Sequence, residues 1–265
     1  MKFISALSLL GCSRLPRLFL ITLVLVSGAR SAAATAASAR LLYVHGAVGS
    51  QDAGDPDIIR LLTEDLGCVV TKRFDAAQPD AKADARGFDL VFISSSVFSK
   101  NVAGKYRDHA IPVIVGEALT FPDEWMAMAR KSHFEGKAPH LDAVRLVAGA
   151  AGHPLAAGNA PGLLPVSDGK AAIWGWGGEL GAGGKVIAVA TVNPASGAVP
   201  ADEAIVEFVY EKGATLTDGT AAKGLRIGIP WIDSEGPIFG ERPNSISDDG
   251  RALLRSAVSY ALTHH

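Results

Sequence analysis

Apolar positions in this chain follow two regimes. From Arg40 to Glu117 they come as short unbroken runs: LLYV at 41–44, CVV at 68–70, LVFI at 90–93 and PVIV at 112–115. The runs LVFI and PVIV, β-branched and aromatic without alternation, mark strands covered on both faces. We therefore predict strands at 40–48, 68–74, 89–97 and 112–117. Between the first two, DPDIIRLLTEDLG places Ile58, Leu61, Leu62 and Leu66 at helical spacing, with Asp55 as N-cap, Pro56 in the first turn and Gly67 at the end. Residues 76–87 are polar and Ala-rich, one turn and a loop. Ser99–His109 predicts a short helix capped by Ser99. Strand, helix, strand is the βαβ unit of a parallel sheet, so Asp89–Phe121 is the stretch around which the rest is organised.

Beyond Glu117 the pattern loosens. Phe121, Trp125 and Met128 are spaced for a helix over Glu117–Lys131, and Leu141–Ala148 reads as a strand. Leu163–Val166, Ala171–Trp176, Lys185–Val192 and Ala204–Glu211 are strand-like, with Gly-rich turns too short for helices between them. They predict antiparallel additions to the sheet. The glycines of Gly175–Gly181 read as a hairpin loop. Arg226–Pro230 is a last strand, and Asp248–Leu262 a closing helix capped by Asp248, with Leu253, Leu254, Ala257, Val258 and Ala261 on its face. The expected fold is α/β: a three-layer, flavodoxin-like sandwich with a mostly parallel central sheet and antiparallel strands in its C-terminal half.

The first 39 residues stand apart. Lys2, Arg14 and Arg17 precede LFLITLVLV at 18–26, followed by small residues, which is the layout of an export signal. The apolar run is shorter than the roughly 20 residues of a spanning helix. Cleavage near Ala33, Ala34 or Ala39 would leave one domain over 40–265 outside the cytoplasm; membrane association is expected only if the leader is retained. Removing Lys2, Arg14, Arg17 and Arg30 from 25 Lys and Arg set against 27 Asp and Glu leaves a net charge of −6. That balance argues against a nucleic-acid partner. Only Cys68 then remains, so no internal disulfide forms and the apolar core must hold the fold.

Several chemistries lack their residues. The first loop, HGAVGSQDAGD, has no G-x-G-x-x-G for a dinucleotide, and neither a P-loop nor a G-x-S-x-G elbow occurs. A phosphoreceiver would need acids where Ser94-Ser95-Ser96 and His45-Gly46 stand. Asp52, Asp55 and Asp57 fall short of an oxygen cage. No metal and no cofactor is expected.

Four stretches carry a resemblance: LLYVHG at 41–46 with the helix to Gly67; DLVFIS and IPVIVGE within 89–117; GHPLAAG at 152–158; and FVYEKG at 208–213 with RIGIP and the closing helix. In this order they resemble the class I glutamine amidotransferase-like fold, and within it the ThuA-like (trehalose-utilisation-like) branch. True amidotransferases place a nucleophilic Cys in the turn matching Gly116-Glu117-Ala118-Leu119 and a His-x-Glu pair late in the chain. Here the turn holds no Cys and the late part no such pair, so the resemblance implies the scaffold without glutaminase chemistry.

In such sheets ligands sit beyond the carboxyl ends of the strands. Those ends carry His45, Ser94, Ser95, Ser96, Gly116 and Glu117. Glu117 and His45 are the candidates for acid/base work; Ser94–Ser96, Gly116 and His153 are candidates for ligand contact, His153 also fixing its own turn at Pro154. The expected partner is a small polar ligand, with carbohydrate suggested by the resemblance alone. A second reading is a non-catalytic envelope module whose cleft is vestigial.

Overall fold

The computed structural model describes residues 38–46, 55–75, 85–135, 140–167, 174–232 and 246–264. Met1–Ala36 and Ala37–His265 are separate units. The leader, Asp52 and most of the 76–87 stretch lie outside the described residues. Among those described, no helix is long and apolar enough to cross a membrane.

The four early apolar runs are strands. They are β1 (Arg40–His45), β2 (Val69–Phe74), β3 (Leu90–Ile93) and β4 (Val113–Val115). They lie parallel in the order β2-β1-β3-β4, and the late strand β11 (Arg226–Gly228) joins β4, also in parallel. Helices cover both faces only in part. Leu41, Tyr43, Leu90, Phe92 and Ile114 pack on one side with Ile58, Leu61 and Leu62, and with Leu253, Leu254, Ala257 and Val258. Leu42, Val44, Val91, Ile93, Val113 and Val115 pack on the other, against Val102, Tyr106, Phe121, Met126 and Met128. The first group of helical residues belongs to α1 (Asp55–Arg60), with its π-helical continuation Leu61–Asp65, and to the helix Asp248–Thr263. A single turn, α2 (Ser99–Val102), serves the second face; we number the closing helix Asp248–Thr263 α3.

The second half corrects the expectation of a mostly parallel sheet. β5 (Ala129–Glu135), β6 (Ala143–Leu146), β7 (Gly162–Pro165), β8 (Trp174–Leu180), β9 (Gly184–Ala190) and β10 (Ile205–Tyr210) all pair antiparallel. Those pairings, β5 with β8, β6 with β7 and β9, and β10 with β8, β9 and β11, outnumber the parallel ones. The connections β6–β7, β9–β10 and β10–β11 hold no α-helix to carry a crossover, and each strand returns beside its predecessor.

Three local expectations also change. No helix spans Glu117–Lys131: a 3-10 turn at Ala118–Thr120 ends before Pro122, Ala127 sits at φ 52°, and β5 begins two residues later. Gly175, Gly177 and Gly178 lie in strand β8 rather than in a loop, and Gly181 alone falls in the turn that follows. A Cβ on Gly175 would lie 2.6 Å from that of Ala118, and one on Gly177 3.0 Å from that of Ala129, so the glycines let this strand press onto its neighbours. The caps shift by one residue. Ser247, not Asp248, caps α3, its Oγ accepting Gly250 N–H at 3.0 Å, while Ser99 lies inside α2 behind Phe98. Cys68 is a buried free thiol just before β2.

Two buried ionisable side chains mark the junction of the two halves. The Arg226 guanidinium on β11 is fully buried and bonds carbonyls, those of Arg107 (2.7 Å), Ile111 (3.1 Å) and Leu225 (2.8 Å) among them. It thereby holds the approach to β4 onto the last parallel strand, and burial lowers its pKa to about 10. Glu207, at the register irregularity between β10 and β9, is also fully buried. Among the described residues neither of its carboxylate oxygens has a hydrogen bond of ordinary geometry, and burial pushes its pKa well above the usual value; the Trp231 indole lies beside it and offsets this only in part.

Two outcomes follow for stability. Leu90→Ala should cost about 2–5 kcal/mol in a denaturant titration, since Leu90 is wholly buried. Glu207 acts through linkage. With a folded-state pKa above the unfolded one, the native chain binds more protons than the unfolded chain as pH rises through and beyond the ordinary Glu range, so stability falls with rising pH. Glu207→Gln removes that term. Its stability relative to wild type should therefore grow between about pH 5 and about pH 8; a constant difference across this range would contradict a neutral buried Glu207.

Candidate functional site

The carboxyl ends of β1, β3 and β4 bring His45, Ser94–Ser96 and Gly116-Glu117 to one edge of the sheet. The strand order turns there: β1 is followed by β2 on one side and by β3 on the other. This is where a doubly wound sheet leaves its crevice. Asp55, the first residue of α1, fills it. Its Oδ1 accepts the Tyr43 hydroxyl at 2.6 Å and the Ser94 hydroxyl at 2.6 Å, and its Oδ2 accepts Ser96 Oγ–H at 2.8 Å. Gly46 N–H donates to Ser96 Oγ at 3.0 Å. A Cβ on Gly46 would stand 2.0 Å from the Ser96 carbonyl oxygen, so only glycine allows the β1 and β3 ends to close this far.

Asp55 is 3 % exposed. Burial pushes its carboxyl above the ordinary value, while the hydroxyls of Ser94, Tyr43 and Ser96 and then His45 pull it back. An ionised carboxylate accepts from every donor it meets, so the three hydroxyls favour the charged form. Sequence reasoning had assigned Asp55 to capping and missed this role. The signal was present in the serines of 94–96 and the tyrosine of LLYVH, but no spacing rule links residues so far apart in the chain.

Beside Asp55 lies a cleft of about 310 Å³, lined by His45, Asp55, Ile59, Arg60, Glu64 and Lys72. The His45 ring packs on Phe74, with centroids 4.6 Å apart, and makes no hydrogen bond among the described residues. Arg60 pairs with Asp57 at 2.9 Å. Among the described residues no group of three or more His, Cys, Asp or Glu stands close enough to hold a metal ion.

Glu117 is placed differently. It is 4 % exposed, and its Oε1 accepts Leu119 N–H at 2.7 Å, capping the 3-10 turn Ala118–Thr120. β3 stands between β1 and β4, so the ends carrying His45 and Glu117 are two strand spacings apart, about 10 Å. Glu117 and His45 are therefore not brought together as a pair. The crevice at Ser95 and Gly116, closed by Phe134, Trp174, Gly175 and Pro230, has no volume in which a water fits (≈ 0 Å³).

His153 lies elsewhere. Its Nδ1 accepts Leu155 N–H at 3.2 Å, and its ring packs on Tyr260, whose hydroxyl donates to Glu211 at 2.6 Å. Glu211 follows the end of β10 that pairs with the start of β11, the edge opposite His45. Burial and Lys185 lower the His153 pKa. One His-x-Glu does occur, mid-chain on β5. Its Glu135 is buried and accepts Trp176 Nε1–H at 2.8 Å and Ala195 N–H at 2.9 Å, while His133 is exposed. Neither residue meets a thiol.

Among solved structures the chain is similar to a crystal structure titled as a ThuA-like protein from Bacteroides uniformis. Identity is 9 %, over 85 % of this chain and 93 % of that one, with a TM-score of 0.50. No family model and no curated protein matches. At that identity the likeness is one of fold: the chain has a ThuA-like α/β architecture.

The two buried carboxylates should respond differently to truncation. Asp55→Ala removes the acceptor shared by three hydroxyls and should cost about 2–5 kcal/mol. Glu117→Ala loses the cap of its 3-10 turn, worth about 1 kcal/mol, with Glu117→Gln, which keeps a carbonyl acceptor, costing less than Glu117→Ala. Urea unfolding of the three variants at neutral pH checks this order.

Proposed function

We propose that this chain is an exported ThuA-like domain that binds a small polar ligand, with carbohydrate the first class to try, in the cleft beside Asp55. It belongs with the class I glutamine amidotransferase-like scaffolds but has no glutaminase activity. The parallel order β2-β1-β3-β4-β11 supports the flavodoxin-like layout of that scaffold. The elbow without a thiol, with Cys68 buried at the other end of the strands, supports the loss of glutaminase chemistry. The leader, with its basic start and apolar run, supports export.

One observation carries the ligand reading. A carboxylate fixed by hydroxyls from two strands forms the wall of an open cleft, beside an imidazole without a hydrogen bond among the described residues. Fixed acceptors and an adjustable donor are what binding a polyhydroxylated molecule requires, because each hydroxyl must exchange its water bonds for protein ones. Arg60, Glu64 and Lys72 at the rim add charged partners. The second reading, a module with a vestigial cleft, draws on Glu117, whose carboxylate is spent on its own turn.

A thermal-shift panel of mono- and disaccharides, polyols and small hydroxy acids separates the two. We expect at least one ligand to stabilise the wild type and His45→Ala to weaken it roughly tenfold, about 1.4 kcal/mol, each shift being read against the variant's own ligand-free melting temperature because the His45 ring is buried. No ligand from the panel, or one indifferent to His45→Ala, would favour the vestigial module.

A further inference from the structure

A second and larger opening lies away from the strand ends, beside the β8–β9 turn and the start of β10. Its volume is about 530 Å³, within the usual range for small-molecule sites. Val147, Leu180, Val186, Val189, Val199 and Ile205 form aliphatic walls, and no aromatic side chain takes part. Charge is confined to the mouth, where Glu179, Asp202 and Glu203 face a single cation, Lys131. Lys131 is already committed, with its Nζ 2.6 Å from Glu179. Asp202 and Glu203 are exposed and have no ion pair or side-chain hydrogen bond among the described residues. The mouth thus sets three carboxylates against one lysine and carries a net negative charge over an apolar slot.

We propose that this groove binds a small aliphatic cation, its hydrocarbon portion against the valine, leucine and isoleucine walls and a protonated primary amine at Asp202 and Glu203. An anion is disfavoured by three carboxylates against one lysine. A quaternary ammonium would seek aromatic faces, and the lining has none. A primary ammonium has three donors to share between two carboxylates, and such charge-assisted bonds are the stronger ones. Glu179 is held at φ 54°, a backbone region that non-glycine residues adopt at some cost. Its carboxylate there bonds Lys131 directly, while Glu203 acts on the same lysine only through space. This site is independent of the His45–Asp55 cleft.

The test is isothermal titration of the full chain with n-octylammonium, octanoate and octanol, each below its aggregation concentration. Octylammonium should bind, with octanoate roughly tenfold weaker or more. The double variant Asp202→Lys, Glu203→Lys changes only exposed side chains, so its fold is safe, and it should reverse that order. Val186→Trp, at a half-buried wall position, should fill the slot and abolish binding, while His45→Ala should leave it unchanged. Absence of octylammonium binding, equal affinity for all three head groups, or an order unaltered by the double lysine variant would overturn the proposal.

Discussion

Everything at the carboxyl ends of the parallel strands depends on how the Asp55 carboxylate is kept buried. A charge removed from water is costly unless its lone pairs are used. Here hydroxyls from β1 and from the end of β3 converge on it, and the Gly46 amide steadies one of them. The same contacts fix the start of α1 over the point where the strand order turns. Since Asp55 occupies the crevice itself, the open cleft is displaced outward along α1, toward Ile59, Glu64 and Lys72.

A second constraint shapes the other half of the molecule. β8 lies close against the elbow after β4 and against β5, and only a strand nearly free of side chains at alternate positions can do so. Gly175 and Gly177 make that approach possible, while Trp174 and Trp176 are buried on the opposite face. The indole of Trp176 then needs an acceptor, and Glu135 supplies it while also tying down Ala195. Close packing of β8 is thus coupled to a buried carboxylate, and closure of the crevice at Gly116 follows from both.

The parallel half was legible because LLYV, LVFI and PVIV are apolar without a break, and only strands covered on both faces read that way. The closing helix was legible from its 3.6-residue period. Glu117–Lys131 was misread because Phe121, Trp125 and Met128 imitate that period, while the residue that ends any helix there, Ala127 at φ 52°, carries no local signal. β8 was misread because glycine is the residue of loops and also of close strand approach, and the difference lies in what stands opposite. The site was half legible for a similar reason. The strand-end rule locates His45 and Ser94–Ser96, but Asp55 looks like an ordinary cap until tertiary contacts bring three hydroxyls to it.

The position of Glu117 bears on what kind of protein the scaffold can be. In an elbow built for nucleophilic chemistry, the side chain must project out of the turn toward a substrate and be met by a base. The Glu117 carboxylate instead bends back to accept the amide two residues ahead, beside a crevice with no room for water. A group serving as an internal cap cannot approach a substrate without undoing its own turn. At β1 the situation is reversed. His45 stands at the cleft with no hydrogen bond among the described residues, and the neighbouring carboxylate is already oriented by its hydroxyls. Of the two strand ends, the β1 edge rather than the β4 elbow therefore holds the side chain placed to meet the proposed polar ligand.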